Sequence, residues 1–148
     1  MSSFKDPLII IDNGDETFTL YKGFTYHVGD LDSDIKIVVP EGFRSDFASL
    51  PRFLWSIIPP YGKHGKAAFL HDFLYEAVRR QRFSRVIADA LFLEAMGVLG
   101  VSRLRRYLMY AGVRLFGFIS VSKYGKSMNP TLYEKLIQPS ESIIIQKK

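Results

Sequence analysis

Residues 66–80 read KAAFLHDFLYEAVRR, and the fold turns on this stretch. On a helical wheel Phe69, Leu70, Phe73, Leu74, Ala77 and Val78 take up almost the whole circumference, the pattern of a helix buried on most sides. One narrow stripe remains, carrying His71, Asp72, Tyr75 and Arg79. His71 and Tyr75 are four apart and share a face, Ala68 one turn earlier leaves room for an approaching group, and Asp72 points about 100° further round.

Working outward, 84–99 and 102 to about 120 read as two further helices. Ser84 and Ser102 stand at N-cap positions and Gly100 at the stop between them. In the first of these, Asp89 sits among Val86, Phe92 and Leu93 on an otherwise core-facing stripe. A carboxylate there needs a partner. The short connection 80–84 makes the two helices antiparallel neighbours, which sets Asp89 level with Tyr75 and one turn from His71. His71, Asp72, Tyr75 and Asp89 are therefore expected to converge.

Before residue 40 the period changes to two. Phe18 and Leu20 alternate with threonines, Phe24, Tyr26 and Val28 with Thr25 and His27, and Ile35, Ile37 and Val39 with Lys36 and Val38. Three half-buried strands follow, with turn residues between them and an edge strand over 7–11. From 41 to 65 prolines and glycines punctuate a loop rich in Phe, Leu, Ile and Trp. The tail 121–148 ends in Ile143, Ile144 and Ile145, an apolar strand expected to add to a sheet, its own or a partner's. The expected fold class is α+β, in one domain spanning 1–148: mainly β over 1–40, loop over 41–65, helical over 66–120 with the polar hairpin, then the tail.

The 148 residues are 47% hydrophobic and 14% aromatic, which argues against disorder, and the absence of cysteine excludes disulfides, thiolate metal sites and cysteine nucleophiles. The net charge of +5 gathers after residue 78, favouring phosphates, nucleic or lipid. Residues 1–7 lack the pattern of a signal peptide, and the apolar stretch 107–121 is broken by Arg114 and too short to span a bilayer. A soluble product of the cytoplasm is expected. No Walker loop, dinucleotide fingerprint or Gly-x-Ser-x-Gly elbow is present, so nucleotide chemistry is not expected; no organic cofactor is expected, and of the two kinds of phosphate a lipid surface is expected rather than nucleic acid.

The polar constellation suits acid–base chemistry. An Asp accepting from one imidazole nitrogen fixes the tautomer and leaves the other nitrogen as a general base for water. Asp72 beside it suits a hard cation such as Ca2+, with carbonyls from the glycine-containing segment 61–65. The competing reading is a structural hydrogen-bond network. Burying two carboxylates, an imidazole and a phenol carries a desolvation cost of several kcal/mol, which favours a functional site. Arg44, Asp46, Ser49 and Arg52 crowd one loop and either support the same cleft or, for Asp46 and Ser49, tie down a turn. In the third helix, over 102–120, arginines alternate with Leu104, Leu108, Val113, Leu115 and Phe116. Such a face is either a solvated surface or suited to a membrane.

The runs GFRSDFASLPR (42–52), PPYG (59–62) and AAFLHDFLY (67–75), continued by Ala88-Asp89 and by Arg105-Arg106, resemble an uncharacterised domain family frequent in tailed-phage and prophage genomes, over roughly residues 15–120. The resemblance implies a phage origin, hence synthesis in the host cytoplasm; association with the virion is the expectation if the strand-like tail 142–146 meets a virion protein. Ala67-Ala68-x-x-His71-Asp72-x-x-Tyr75 followed by Ala88-Asp89 is also similar to the active-site helix pair of phospholipase A2, especially the cysteine-free viral capsid version. That similarity implies that His71 activates water, that Tyr75 and Asp89 orient it, and that Asp72 binds calcium with carbonyls around Tyr61, Gly62 and Gly65. The stretch between the glycine loop and His71 is shorter than in most phospholipases, and Lys63, His64 and Lys66 put positive charge where a calcium loop would prefer none. Two functions stand as expectations: a hydrolase-like site acting on phospholipid or another envelope bond, and a non-catalytic tail or capsid component meeting virion proteins through strand 142–146.

Overall fold

The structure, a computed structural model, describes residues 7–15, 17–29, 35–45, 64–79, 83–123 and 143–145. Its elements run β1 (Ile10–Asp12), β2 (Phe18–Leu20), β3 (Phe24–His27), β4 (Ile35–Val39), β5 (Arg44–Ser45), α1 (Gly65–Arg79), α2 (Arg85–Val98), α3 (Arg103–Lys123) and β6 (Ile143–Ile145). The fold is α+β, with small antiparallel sheets before three helices. The chain forms two compact units, Met1–Asp46 with Ser127–Lys148 and Phe47–Lys126.

The first unit holds two three-stranded sheets, ordered β1-β2-β5 and β3-β4-β6 and antiparallel throughout. Alternation decides which side chains go inward: Phe18, Leu20, Phe24, Tyr26, Ile37 and Val39 are buried, while Thr19, Thr25 and Val38 between them are half-buried. The expected edge strand over 7–11 forms three residues later, at Ile10–Asp12. β5 lies inside the stretch expected to be loop. Ser45 pairs with Phe18 and Arg44 with Thr19, and the ladder continues through Phe43, whose carbonyl accepts from the Leu20 amide at 2.8 Å. A two-residue strand has no alternation to read, which is why sequence periodicity misses it. β6 pairs with β4 of its own chain, Ile143 opposite Ile37 and Ile145 opposite Ile35.

In the second unit α1 packs on α2 and α3, and α2 packs on α3. Every side chain from Ala67 to Ala77 is buried, as a helix apolar on nearly all sides requires. Facing it, Ala88, Phe92, Ala95 and Met96 of α2 and Met109 and Val113 of α3 are fully buried. Ser84 occupies the N-cap of α2 in an extended conformation, but its hydroxyl makes no capping bond. The C-terminus is better closed. Gly100 adopts φ +80°, the Val101 amide donates to the Met96 carbonyl at 3.0 Å, and the Gly100 amide donates to Gly97 at 3.2 Å. These are the two bonds of a Schellman motif, and they leave only residues 99–102 to turn the chain into α3.

An added Cβ at Gly100 would meet nothing within 4 Å, so substitution there costs backbone conformation alone. Gly100→Ala is expected to lower unfolding free energy by about 1–2 kcal/mol, read from urea unfolding; an unchanged midpoint would show that the left-handed residue does not hold the turn.

Candidate functional site

The second unit buries an ionisable cluster made by all three helices. Asp89 of α2 is at its centre, and His71, Tyr75 and Asp89 are each 0% exposed. His71 Nε2 lies 2.7 Å from Asp89 Oδ1, and the Tyr75 hydroxyl donates to the same oxygen at 2.6 Å. From α3, Arg114 Nη1 donates to Asp89 Oδ2 at 2.7 Å. Arg85, one turn before Asp89, brings Nη1 to 3.6 Å from Oδ2 while donating to the carbonyls of Val113 at 3.1 Å and Arg114 at 3.3 Å. One carboxylate thus takes three direct donors from two other helices, which is how a charge without water is kept.

The electrostatics follow from these contacts. Burial alone would raise the Asp89 pKa, but hydrogen bonds from His71 and Tyr75, the charge that His71 carries when protonated, and the Arg114 bond outweigh it and hold the carboxyl below 3.8. Tyr75 is pushed well above its ordinary range, first by burial and then by donating to an anion, with Arg85 acting against the shift. Arg114 is raised by the same partnership with Asp89.

Since the ionised carboxylate only accepts, Nε2 carries the proton of a neutral His71, and Nδ1 carries the lone pair. Nδ1 is buried and has no hydrogen-bond partner among the described residues. The ring packs against Tyr75, with centroids 4.0 Å apart, and against Phe92, at 4.5 Å, both at tilted angles. Nε2 is therefore tied to Asp89, and Nδ1 is left with no hydrogen-bond partner among the described residues.

Gly117 of α3 is part of the same arrangement. A Cβ there would run into the Tyr75 hydroxyl, with Tyr75 Cζ at 3.1 Å and Arg85 Nη1 at 3.2 Å. The absent side chain is the space that the phenol occupies. Sequence reading singled out neither this glycine nor Arg85 and Arg114 as partners of Asp89. Arg85 was accessible through its four-residue spacing. Arg114 had a subtler signal, a lone charge in the apolar stretch 107–121.

The other expected residues are more scattered. Asp72 is buried beside His71 on α1, and further along that helix Glu76 pairs with Arg79. Gly65 is the first residue of α1 rather than part of the preceding loop, so its carbonyl is directed along the helix toward the amide four residues on. Tyr61 and Gly62 lie outside the described residues. Calcium takes six to eight oxygens, and among the described residues no group of three or more His, Cys, Asp or Glu is placed to hold a metal ion. Arg44 belongs to the first unit, where its guanidinium binds Thr17 Oγ1 at 2.9 Å and pairs with Asp15. Asp46, Ser49 and Arg52 lie outside the described residues.

The model of the family DUF1353, described as a protein of unknown function, matches residues 7–113, well over half of the chain. The chain belongs to the DUF1353 family. No curated protein and no solved structure matches it. The match covers His71, Asp72, Tyr75, Arg85 and Asp89, and Arg114 follows its last residue.

Two measurements check this geometry. A carboxyl held below 3.8 stabilises the fold in full above that pH and loses its contribution as pH falls through the depressed value. Asp89→Ala is thus expected to cost about 3–5 kcal/mol at neutral pH, and its gap from wild type should narrow below pH 3.8; a gap constant down to pH 2 would exclude the ionised carboxylate as the stabilising species. Gly117→Ala is expected to destabilise by about 1–3 kcal/mol through overpacking, despite the better helix propensity of alanine. The penalty should be smaller in a Tyr75→Phe background, and equal penalties in both backgrounds would show that the hydroxyl does not fill that space.

Proposed function

We propose that this protein is a phage-encoded hydrolase in which His71 activates water against an ester bond of the cell envelope, a phospholipid ester being the favoured substrate. The observation that carries the reading is the asymmetry of the His71 ring, with Nε2 anchored on Asp89 at 2.7 Å and a buried Nδ1 that has no partner among the described residues. The resemblance of 67–75 and 88–89 to the phospholipase A2 helix pair supports the choice of substrate, and the similarity to phage-borne domains supports the origin.

In this mechanism Nδ1 takes a proton from water as the water oxygen bonds to the ester carbonyl carbon. The imidazolium then returns that proton to the departing alkoxide as the carbon–oxygen bond breaks, giving an acid and an alcohol. Asp89 remains ionised throughout, as its depressed pKa allows, and offsets the positive charge of the ring through Nε2–H. Tyr75 and Arg114 keep Asp89 oriented. His71 is fully covered, so the mechanism requires its surroundings to open before water and substrate reach Nδ1.

Fatty-acid release from phospholipid vesicles, measured with calcium and with a chelator, tests the reading. His71→Ala is expected to lower turnover by about 100-fold or more, the usual contribution of a general base, and Asp89→Ala to lower it strongly as well. Absence of hydrolysis by the wild-type protein in both conditions would exclude the lipase.

Full burial of His71, Tyr75 and Asp89 favours a second reading, in which the cluster only braces the helices of a non-catalytic tail or capsid component. Virion proteins would then be the partners, met through residues 142–146. Detection of the chain in purified particles, together with an inactive wild-type protein, would select it.

A further inference from the structure

α3 has two apolar faces. Met109, Val113 and Gly117 on one side are buried against the other helices. On the other side Leu104 is 74% exposed, Leu115 65% and Phe118 58%, with Tyr107 at 54% and Leu108 at 39%. At about 100° per residue, these five and the exposed Ala111 fall within an arc about 100° wide, diametrically opposite the packed face. The stripe runs from 104 to 118, about 21 Å along the helix.

Its borders carry charge of a single sign. Arg103 lies about 100° to one side of Leu104 and Arg105 about 100° to the other; both are exposed, and neither makes a hydrogen bond or ion pair among the described residues. The remaining helix arginines are occupied, Arg114 by Asp89 and Arg106 near Gly97 and over the Tyr107 ring. No acidic residue occurs anywhere from 95 to 133. Among the described residues no helix is long and apolar enough to cross a membrane, so this face has the composition of a helix lying in an interface rather than through it.

We infer that the outward face of α3 docks on an anionic lipid surface, with Leu104, Leu108, Leu115 and Phe118 entering the headgroup–acyl boundary and Arg103 and Arg105 binding lipid phosphates at its rim. The one-signed rim decides for a lipid surface: a second copy of the chain would bring arginine against arginine along the stripe, whereas a sheet of phosphates complements both edges at once. This docking is independent of the chemistry at His71 and does not require turnover.

The test is sedimentation of the full chain with vesicles of phosphatidylcholine alone and of phosphatidylcholine mixed with phosphatidylglycerol, in calcium-free buffer. Binding is expected on the mixed vesicles and to weaken with added salt. Leu104→Glu with Leu115→Glu should abolish it while leaving thermal unfolding unchanged, because both side chains are exposed. Arg103→Gln with Arg105→Gln should weaken binding to the mixed vesicles by about thirtyfold, at about 1 kcal/mol per basic residue, and leave any binding to phosphatidylcholine unaltered. Equal binding to both vesicle types, binding that survives the glutamate pair, or no binding at all would overturn the proposal. So would a dimer in sedimentation velocity that the glutamate pair dissolves, since the face would then be a contact between copies. A chain that binds vesicles without releasing fatty acid would leave the docking intact and remove only the lipase.

Discussion

The Asp89 carboxylate is the constraint on which the second unit depends. A buried anion is tolerable only where fixed donors replace water, and here they arrive from both neighbouring helices: His71 and Tyr75 from α1, Arg114 from α3. Hydrophobic burial alone would let α1, α2 and α3 slide or rotate by small amounts at little cost. Three hydrogen bonds on two oxygen atoms do not, because each has a narrow range of length and angle. The apolar residues drive the helices together, and Asp89 selects the arrangement in which they meet.

That selection bears directly on the proposed chemistry. The bonds that steady Asp89 also tie down one side of His71, while Tyr75 and Phe92 pack against its ring. In the proposed chemistry the same group of side chains serves stability and reactivity, so changes to it would affect both, and measurements that separate folding from turnover apportion them.

How much was legible in the sequence differs along the chain. Period-two alternation located β2, β3 and β4 to within a residue or two, and the apolar circumference of 66–80 located α1, because these patterns are local consequences of burial. The meeting of His71, Tyr75 and Asp89 was legible as well, since a short connection between antiparallel helices leaves little choice of register. Arg114 was not, because a cation on an amphipathic helix looks the same whether it meets water or reaches a carboxylate on the next helix. Gly117 was invisible for a related reason: the residue whose space it yields is 42 positions away in the chain. Arg44 has the opposite history. Its neighbours in sequence suggested a cleft or a turn and said nothing of its partners, which strand pairing supplies by setting it opposite Thr19, within reach of Asp15 and Thr17. An isoleucine run names no particular neighbour, and β6 takes β4 of its own chain.

The Schellman closure at Gly100 has a consequence for phase. With α2 and α3 joined through only residues 99–102, the distance along the chain from Asp89 to Arg114 acts as a gauge that sets both how far the guanidinium travels and the direction in which it emerges. Each residue of helix turns a side chain by about 100°, so a single insertion or deletion after the turn would carry Arg114 off the carboxylate, bring a different side chain to the space at Gly117, and swing the outward leucines toward the core. The length of one short connection thereby decides which side of α3 is glue and which is surface.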